Sequence, residues 1–342
     1  MQKTNIYILA IESSCDDTSC AVLRDNVVLS NVTANQSIHQ QYGGVIPELA
    51  SRDHQKNIVP VVEAALKKAN IKLSQINAVA VTAGPGLMGS LLVGISFAKS
   101  LSLSLNIPLI AVNHMQAHIL AHFIDEENAN IKHPGFPFLC LTVSGGHTQL
   151  IKVNDHLTFN LVGQTIDDAV GEAFDKAAKI LGLPYPGGPL IDKYAAGGNK
   201  NKFKFSVSHV AGYDYSFSGI KTSFLYFVQN EVQKNEKFIA ENLNDICASY
   251  QEHLINVLLK NLKLVIKESG IRDVAIAGGV SANSRLRKQL TELESELNIN
   301  TFIPKFEYCT DNAAMIGVTA YYKYLREQFS PLSITPVTRS EI

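Results

Sequence analysis

Apolar residues along this chain fall in short runs of strand length separated by polar turns, and the same order of runs occurs twice. Tyr7–Ile11 predicts a strand, ESSCDDT (12–18) a polar turn, and Ser19–Leu23 a second strand. Arg24–Asn26 then turns into a third strand, Val27–Val32. In the second half, Phe138–Val143 predicts a strand, SGGHT (144–148) a turn, and Gln149–Val153 the return strand. A second pair of features repeats likewise. Ala78–Ala83 is an apolar strand that breaks at Gly84-Pro-Gly86 and leads into a helical stretch from Ser90. Val274–Ala277 breaks at Gly278-Gly279 and leads into a helix that begins near Ser281–Asn283. A strand, a glycine turn and a helix N-terminus together present unpaired backbone N–H groups to an anion.

Two halves built this way follow the plan of the actin/hexokinase/Hsp70-like (ASKHA) group. That is an α/β fold with duplicated lobes and an interlobe cleft lined by phosphate-binding loops. Glycine turns before helices are common, so two unrelated α/β units fit the same pattern. The expected boundaries are an N-terminal lobe over 1–125, a C-terminal lobe over 138–312, and a helix over 313–330 that packs back on the first lobe. A loosely ordered tail over 331–342 completes the chain. The polar stretch Asp125–Pro137 reads as a linker, and YPGGPLID (185–192) as a rigid turn.

Composition narrows the class. With 342 residues, 46% hydrophobic and 18% charged, the chain is a folded protein of about two domains. A net charge of −1 excludes a nucleic-acid binder that works by overall charge. RNA contact would have to come from a partner or from local clusters: Lys200, Lys202 and Lys204, or Arg285, Arg287 and Lys288. The five scattered cysteines form no C-x-x-C pair, and their odd number argues against a secreted disulfide framework. The N-terminal apolar run stops at Glu12, too early for a signal peptide or membrane span, and Leu87–Val112 is interrupted by polar residues, glycine and proline. The expectation is a soluble cytoplasmic protein with no membrane contact.

His114 and His118 follow the strand Leu109–Val112. On a helix, positions i and i+4 lie about 40° apart, so both imidazoles leave one face and suit one metal ion. The spacing suits surface or hydrogen-bonded core histidines equally well. His122, one turn on, reads as a bystander. The pair resembles the metalloprotease H-E-x-x-H, but Met115 stands where the general-base Glu belongs, which counts against proteolysis. Asp311, just ahead of the helical run Ala313–Arg326, reads in isolation as a helix cap. Beside two histidines it would complete a three-ligand site with open positions. The glycines of SGGHT and of GGVSAN (278–283) would let backbone approach a phosphate, with Asn283 able to bond an adenosine or ribose. On the amphipathic helix Asp167–Leu183, Asp175 is the acid best placed for a ligand hydroxyl. Glu12, Asp16 and Asp17 crowd one turn. Turn propensity explains them, as does a general base or an outer-sphere metal partner.

The strings HMQAH (114–118), VSGGHTQL (143–150), GEAFDK (171–176), PGGP (186–189), YSFSGIKT (215–222), GGVSAN and CTDN (309–312) occur in this order. Together they resemble the universal tRNA threonylcarbamoyladenosine synthesis family, TsaD, once misnamed glycoproteases. The resemblance runs from about Ile6 to about Tyr324. It implies transfer of a threonylcarbamoyl group from threonylcarbamoyl-AMP to N6 of adenosine 37 in tRNAs reading ANN codons. It implies one divalent metal, Fe²⁺ or alternatively Zn²⁺, on His114, His118 and Asp311. It further implies an adenylate or ATP-type nucleotide held by Thr142, Val143, Ser144, Gly145, Gly146, Asp175, Gly188, Asp192 and Asn283. Asp16 matches an acidic position of the family, and Asp16 or Glu12 would take the amine proton. The implied partners are tRNA, an inactive paralogue (TsaB-like) and a P-loop ATPase (TsaE-like). Gln116-Ala117 and Gln164 depart from the family's usual Glu-Gly and Glu without touching an expected ligand, and nothing carries over to the tail. A small-molecule kinase of the same fold is the first alternative, a non-catalytic nucleotide-binding scaffold the second and a metalloprotease the third.

Overall fold

The computed structural model describes residues 5–206 and 210–339. Two compact units divide the chain. One takes residues up to His133, Asp155–Thr158 and the chain from Pro304 onward; the other takes Pro134–Asn154 and Phe159–Ile303.

In the first unit β1 (Tyr7–Glu12), β2 (Thr18–Arg24) and β3 (Val27–Ala34) form an antiparallel meander. Helix α1 (Pro47–Ala69) leads to β4 (Ala78–Gly84), α2 (Met88–Leu105), β5 (Leu109–Asn113) and α3 (His114–Leu120). β4 and β5 add in parallel, giving the order β3-β2-β1-β4-β5. Strand side chains alternate between faces. Leu9 and Ile11 join Val79, Val81, Leu91 and Ile95 in one core with Ile58 and Val62 of α1. Helix α2 is apolar enough to span a membrane by length and composition, at a mean hydropathy of 1.4. Its Leu91, Ile95 and Ala98 are buried in this same core.

The second unit repeats the order. β6 (Phe138–Val143), β7 (Thr148–Asp155) and β8 (Thr158–Gln164) are followed by α4 (Val170–Ile180), α5 (Gly187–Ala195), α6 (Ser218–Lys234) and α7 (Phe238–Ser269). Then come β9 (Asp273–Ala277), α8 (Ser284–Leu297) and β10 (Asn300–Phe302). The sheet order β10-β9-β6-β7-β8 mirrors the first, with β6–β7 antiparallel and β6–β9 and β9–β10 parallel. Leu139, Leu141, Val274 and Ile276 meet Phe174, Phe224 and Tyr250 in its core.

From Pro304 the chain belongs to the first unit again, so residues 304–312, expected with the second half, pack with the first. Helix α9 (Ala313–Leu325) is buried on every side from Ala313 to Tyr321, as a helix apolar all round must be. It packs on β1, β2 and β5. The stretch read as a linker is tied down at its start: Asp125 exchanges backbone bonds with Val28 (3.0 Å) and Asn26 (2.9 Å). The tail is likewise not loose, since Ser330 bonds Leu109 and Val337 bonds Ala83, each at 2.8 Å. Backbone pairing without side-chain periodicity leaves no sequence signal. Residues 340–342 of the tail lie outside the described residues.

α9 crosses β2 at Gly317, where a Cβ would stand 2.1 Å from Leu23 Cδ1. Gly317→Ala should destabilise the protein by about 1–3 kcal/mol through overpacking, read as a lowered midpoint in urea unfolding. An unchanged midpoint would show that α9 shifts freely.

Candidate functional site

The end of β5 turns into α3 at Asn113, whose side chain accepts from the N–H groups of Met115 (2.9 Å) and Gln116 (3.1 Å). That cap starts the helix on His114 and sends His114 and His118 inward, where both are buried. Asp311 arrives from the start of α9. Asn312, not Asp311, caps that helix, its Oδ1 accepting from Met315 N at 3.0 Å. The Asp311 carboxylate is thereby left to face the histidines. His114 Nε2 and His118 Nε2 stand 3.2 Å apart, and each lies 3.3 Å from Asp311 Oδ1.

Ligand atoms of one ion at about 2.0–2.2 Å are separated by roughly 3–3.5 Å, so this triangle has the size a single metal requires. His114, His118 and Asp311 form the group of metal-ligating residues found among the described residues. Two histidines and one carboxylate on one face is a donor set suited to Fe²⁺ with open positions. His122 is buried but outside this group.

Glu12, at the end of β1, has no exposed surface. Its Oε1 accepts from Ser14 N (2.5 Å) and its Oε2 from Thr82 Oγ1 (2.6 Å), and Oε2 lies 3.0 Å from His114 Nδ1. Ser14 Oγ is 3.2 Å from the same nitrogen. These contacts fix the ring and leave Nε2 toward the triangle, the outer-sphere arrangement of metal-bound histidines. His118 Nδ1 is buried without such a partner among the described residues. Sealed from solvent with both oxygens engaged, the Glu12 carboxylate is placed to orient the His114 ring.

Asp16 is half-buried in the β1–β2 turn. Asp17 lies beside it in the same acidic turn. Burial, then the charges of Asp16, Asp311 and Glu12, push its carboxyl up to about 7, in the range of a proton acceptor at neutral pH.

In the second unit a pocket of about 320 Å³ is lined by Gly145, Asp175, Gly188, Asp192, Asn283 and neighbours, a size suited to a small ligand. Asp175 Oδ1 accepts from Gly187 N (2.9 Å) and Gly188 N (3.0 Å). Burial raises its pKa, and these two bonds oppose the rise. Asp192 accepts from Ser284 N (3.0 Å), Ser284 Oγ (2.7 Å) and Gln251 Nε2. Asn283 Oδ1 caps α8 through Leu286 N at 3.0 Å.

Four expected residues do not line this pocket. The side chains of Thr142 and Val143 are fully buried in β6, because they belong to the strand and not to its turn. Ser144 turns back on its own loop, its Oγ accepting from His147 N at 3.1 Å, and Gly146 is exposed away from the lining. Phe174, Pro186, Pro189 and Val280, not expected from the sequence, also line the wall. Phe174 is buried on the apolar side of α4, and nothing in periodicity distinguishes a core face from a pocket wall.

Three of the six cations in the basic clusters meet acids. Lys200 pairs with Glu252 (2.9 Å), Lys202 with Asp245 (2.7 Å) and Arg285 with Glu252 (2.6 Å).

A sequence profile described as TsaD, tRNA N6-adenosine threonylcarbamoyltransferase, matches residues 27–318. The chain belongs to the TsaD family. A TsaD relative named tRNA N6-adenosine threonylcarbamoyltransferase, from Christiangramia forsetii, is 60% identical, covering 99% of both chains. Relatives of the same name from Riemerella anatipestifer and Porphyromonas gingivalis are 57% and 55% identical, each covering 98% of this chain and 98% and 99% of their own. Among solved structures, full-length HypF in a phosphate- and nucleotide-bound form superposes with a TM-score of 0.61 at 13% identity. It is covered over 96% of this chain and 47% of that one, so this chain spans about half its length. The HypF of T. kodakarensis gives a TM-score of 0.58 at 14% identity, over 95% of this chain and 48% of that one. At such identity the likeness concerns the fold, and the TsaD chain has the two-lobed actin/hexokinase/Hsp70-like architecture its duplicated sheets indicate.

Charge in the triad of this TsaD member is held by its neighbours. Burial alone would favour a neutral His114, but Asp311 and Glu12 outweigh it and raise the ring well above 6.5. Burial lowers His118, with the charge of His114 adding to that and Asp311 opposing it. Burial would raise Asp311 and Glu12, yet His114 holds both below their ordinary values. The His114 contribution to metal-free stability is complete below its unfolded value of about 6.5 and fades as pH rises through the folded value. The two carboxylates contribute fully above about 4 and fade as pH falls. Above about pH 6.5 the metal-free protein should therefore lose stability as His114 gives up its proton, read as a falling melting temperature. A bound cation must displace the His114 proton, so uptake near neutral pH should release about one proton, measured by calorimetry in buffers of different ionisation enthalpy.

Proposed function

We propose that this chain transfers the threonylcarbamoyl group of threonylcarbamoyl-AMP to N6 of adenosine 37 in tRNAs that read ANN codons. Family membership at up to 60% identity over 99% of the chain supports this reading. The observation that carries its chemistry is the His114–His118–Asp311 triangle, with its atoms 3.2–3.3 Å apart. An ion held there, iron by the donor set and zinc as the alternative, supplies Lewis acidity toward a carbonyl or phosphoryl oxygen.

The chain's own residues do the remainder. Gly145 and Gly188 bring backbone close to the adenylate, and Asp175, Asp192 and Asn283 hold its nucleoside. The amine N6 attacks the carbamoyl carbon, the bond from that carbon to the phosphate oxygen breaks, and AMP leaves. The proton lost by N6 passes to Asp16, with Asp17 beside it. Because the mixed anhydride is already activated, positioning and charge stabilisation are the main tasks. A tRNA, an inactive paralogue (TsaB-like) and a P-loop ATPase (TsaE-like) are its proposed partners, in the cytoplasm.

The kinase alternative falls with family membership, and Met115 in place of a general-base Glu weighs against a protease. A non-catalytic scaffold has no use for an oriented triad. Depletion of the protein should remove threonylcarbamoyladenosine from cellular tRNA, read by nucleoside mass spectrometry. His118→Ala should fail to restore it and should purify without metal. Full activity of a metal-free His118→Ala protein would refute the mechanism.

A further inference from the structure

The segment after α9 has no helix or strand, yet it is bound along one line of the first unit. Ser330 Oγ accepts from Ala111 N (3.0 Å) at the edge of β5. Lys99 Nζ donates to the carbonyl of Ile334, whose side chain packs against the α1–α2 core. Val337 N donates to Ala83 O (2.8 Å), and Thr338 O accepts from Gly86 N (3.3 Å). Gly84, at φ +148°, makes room for this approach, because a Cβ there would lie 1.9 Å from Val337 O. The segment thus grips the turn at residues 84–86 from both ends.

That turn leads directly to the triad. Leu87 N donates to Ser14 O (2.8 Å). Ser14 Oγ reaches His114 Nδ1, and Ser14 N holds Glu12, which holds the same nitrogen. Thr82, next to Ala83, donates to Glu12 Oε2. Two short paths, through Thr82 and through Leu87, connect the segment to the carboxylate and hydroxyl that aim His114. The segment lies beyond residues 27–318, where the family profile matches.

We propose that residues 330–338 are a positioning strap for the metal triad, holding the turn at 84–86 so that Glu12 and Ser14 fix the His114 ring. This rests on the reading of His114, His118 and Asp311 as a metal site. Val337→Pro removes the N–H that bonds Ala83, Lys99→Met removes the bond to Ile334, and Val337→Ala keeps the backbone bond as a control. Each full-length protein is titrated with Zn²⁺, and its His114 ring nitrogens are followed by NMR without metal. Val337→Pro and Lys99→Met should weaken Zn²⁺ by at least about threefold, short of the roughly 10–100-fold cost of losing a direct outer-sphere partner. The His114 ring signals should move in both, while Val337→Ala should match the parent. Unchanged ring signals and unchanged affinity in both variants would overturn the strap. If Val337→Pro does not fold, Lys99→Met decides alone. Failure of the parent to bind Zn²⁺ would sink the metal reading, and the metal-free ring signals would still judge the strap.

Discussion

The first unit depends on one buried carboxylate. Glu12 is charged in a place water does not reach, and such a group is tolerated only when its partners replace hydration. Thr82, Ser14 and His114 do so from the end of β4, the β1–β2 turn and the start of α3. His114 in turn sits between two acids, Glu12 behind it and Asp311 in front. Removing any one charge leaves the others uncompensated, so the arrangement specifies where four separate segments must end. In the absence of an ion, a proton on His114 takes over part of the cation's work.

The second unit uses its acids differently. Asp175 and Asp192 bind the free N–H groups at the starts of α5 and α8. Negative charge at helix N-termini is favourable in itself. The pocket wall is therefore rigid before any ligand arrives, and fewer groups need ordering when one binds. Surface cations follow the same logic. Lys200, Lys202 and Arg285, which read as parts of RNA-facing clusters, are met by Glu252 and Asp245 at bonding distance.

Much of this architecture was legible because it follows local rules. Strands alternate or run apolar, glycine turns precede helices, and both patterns repeat across the two halves. Positions decided by distant contacts were not. Asp311 and Asn312 are both good cap residues, and only the fold shows that Asn312 takes the N–H, releasing its neighbour toward residues two hundred positions upstream. Glu12 sits in a stretch whose composition says turn, and its burial is decided by Thr82 and His114. Thr142 and Val143 share a motif with a loop yet belong to a strand. The Ser330–Thr338 segment binds through backbone groups that every residue has, which no pattern of side chains can announce.

The duplicated topology makes the divergence of the two units a matter of turn chemistry. Both sheets place a hairpin between their first two strands and a glycine turn after the first parallel neighbour. In the first unit the hairpin is ESSCDDT, and its side chains carry charge and hydroxyls to a histidine. In the second it is SGGHT, stripped of side chains at two positions so that backbone itself is exposed. An ion needs fixed, charged side-chain donors, whereas a phosphate is met by closely packed N–H groups. The sheet order is kept while carboxylates in one hairpin turn give way to glycines in the other. The helix that completes the acidic version, α9, enters close enough to deliver Asp311 because Gly317 has no Cβ where it crosses Leu23.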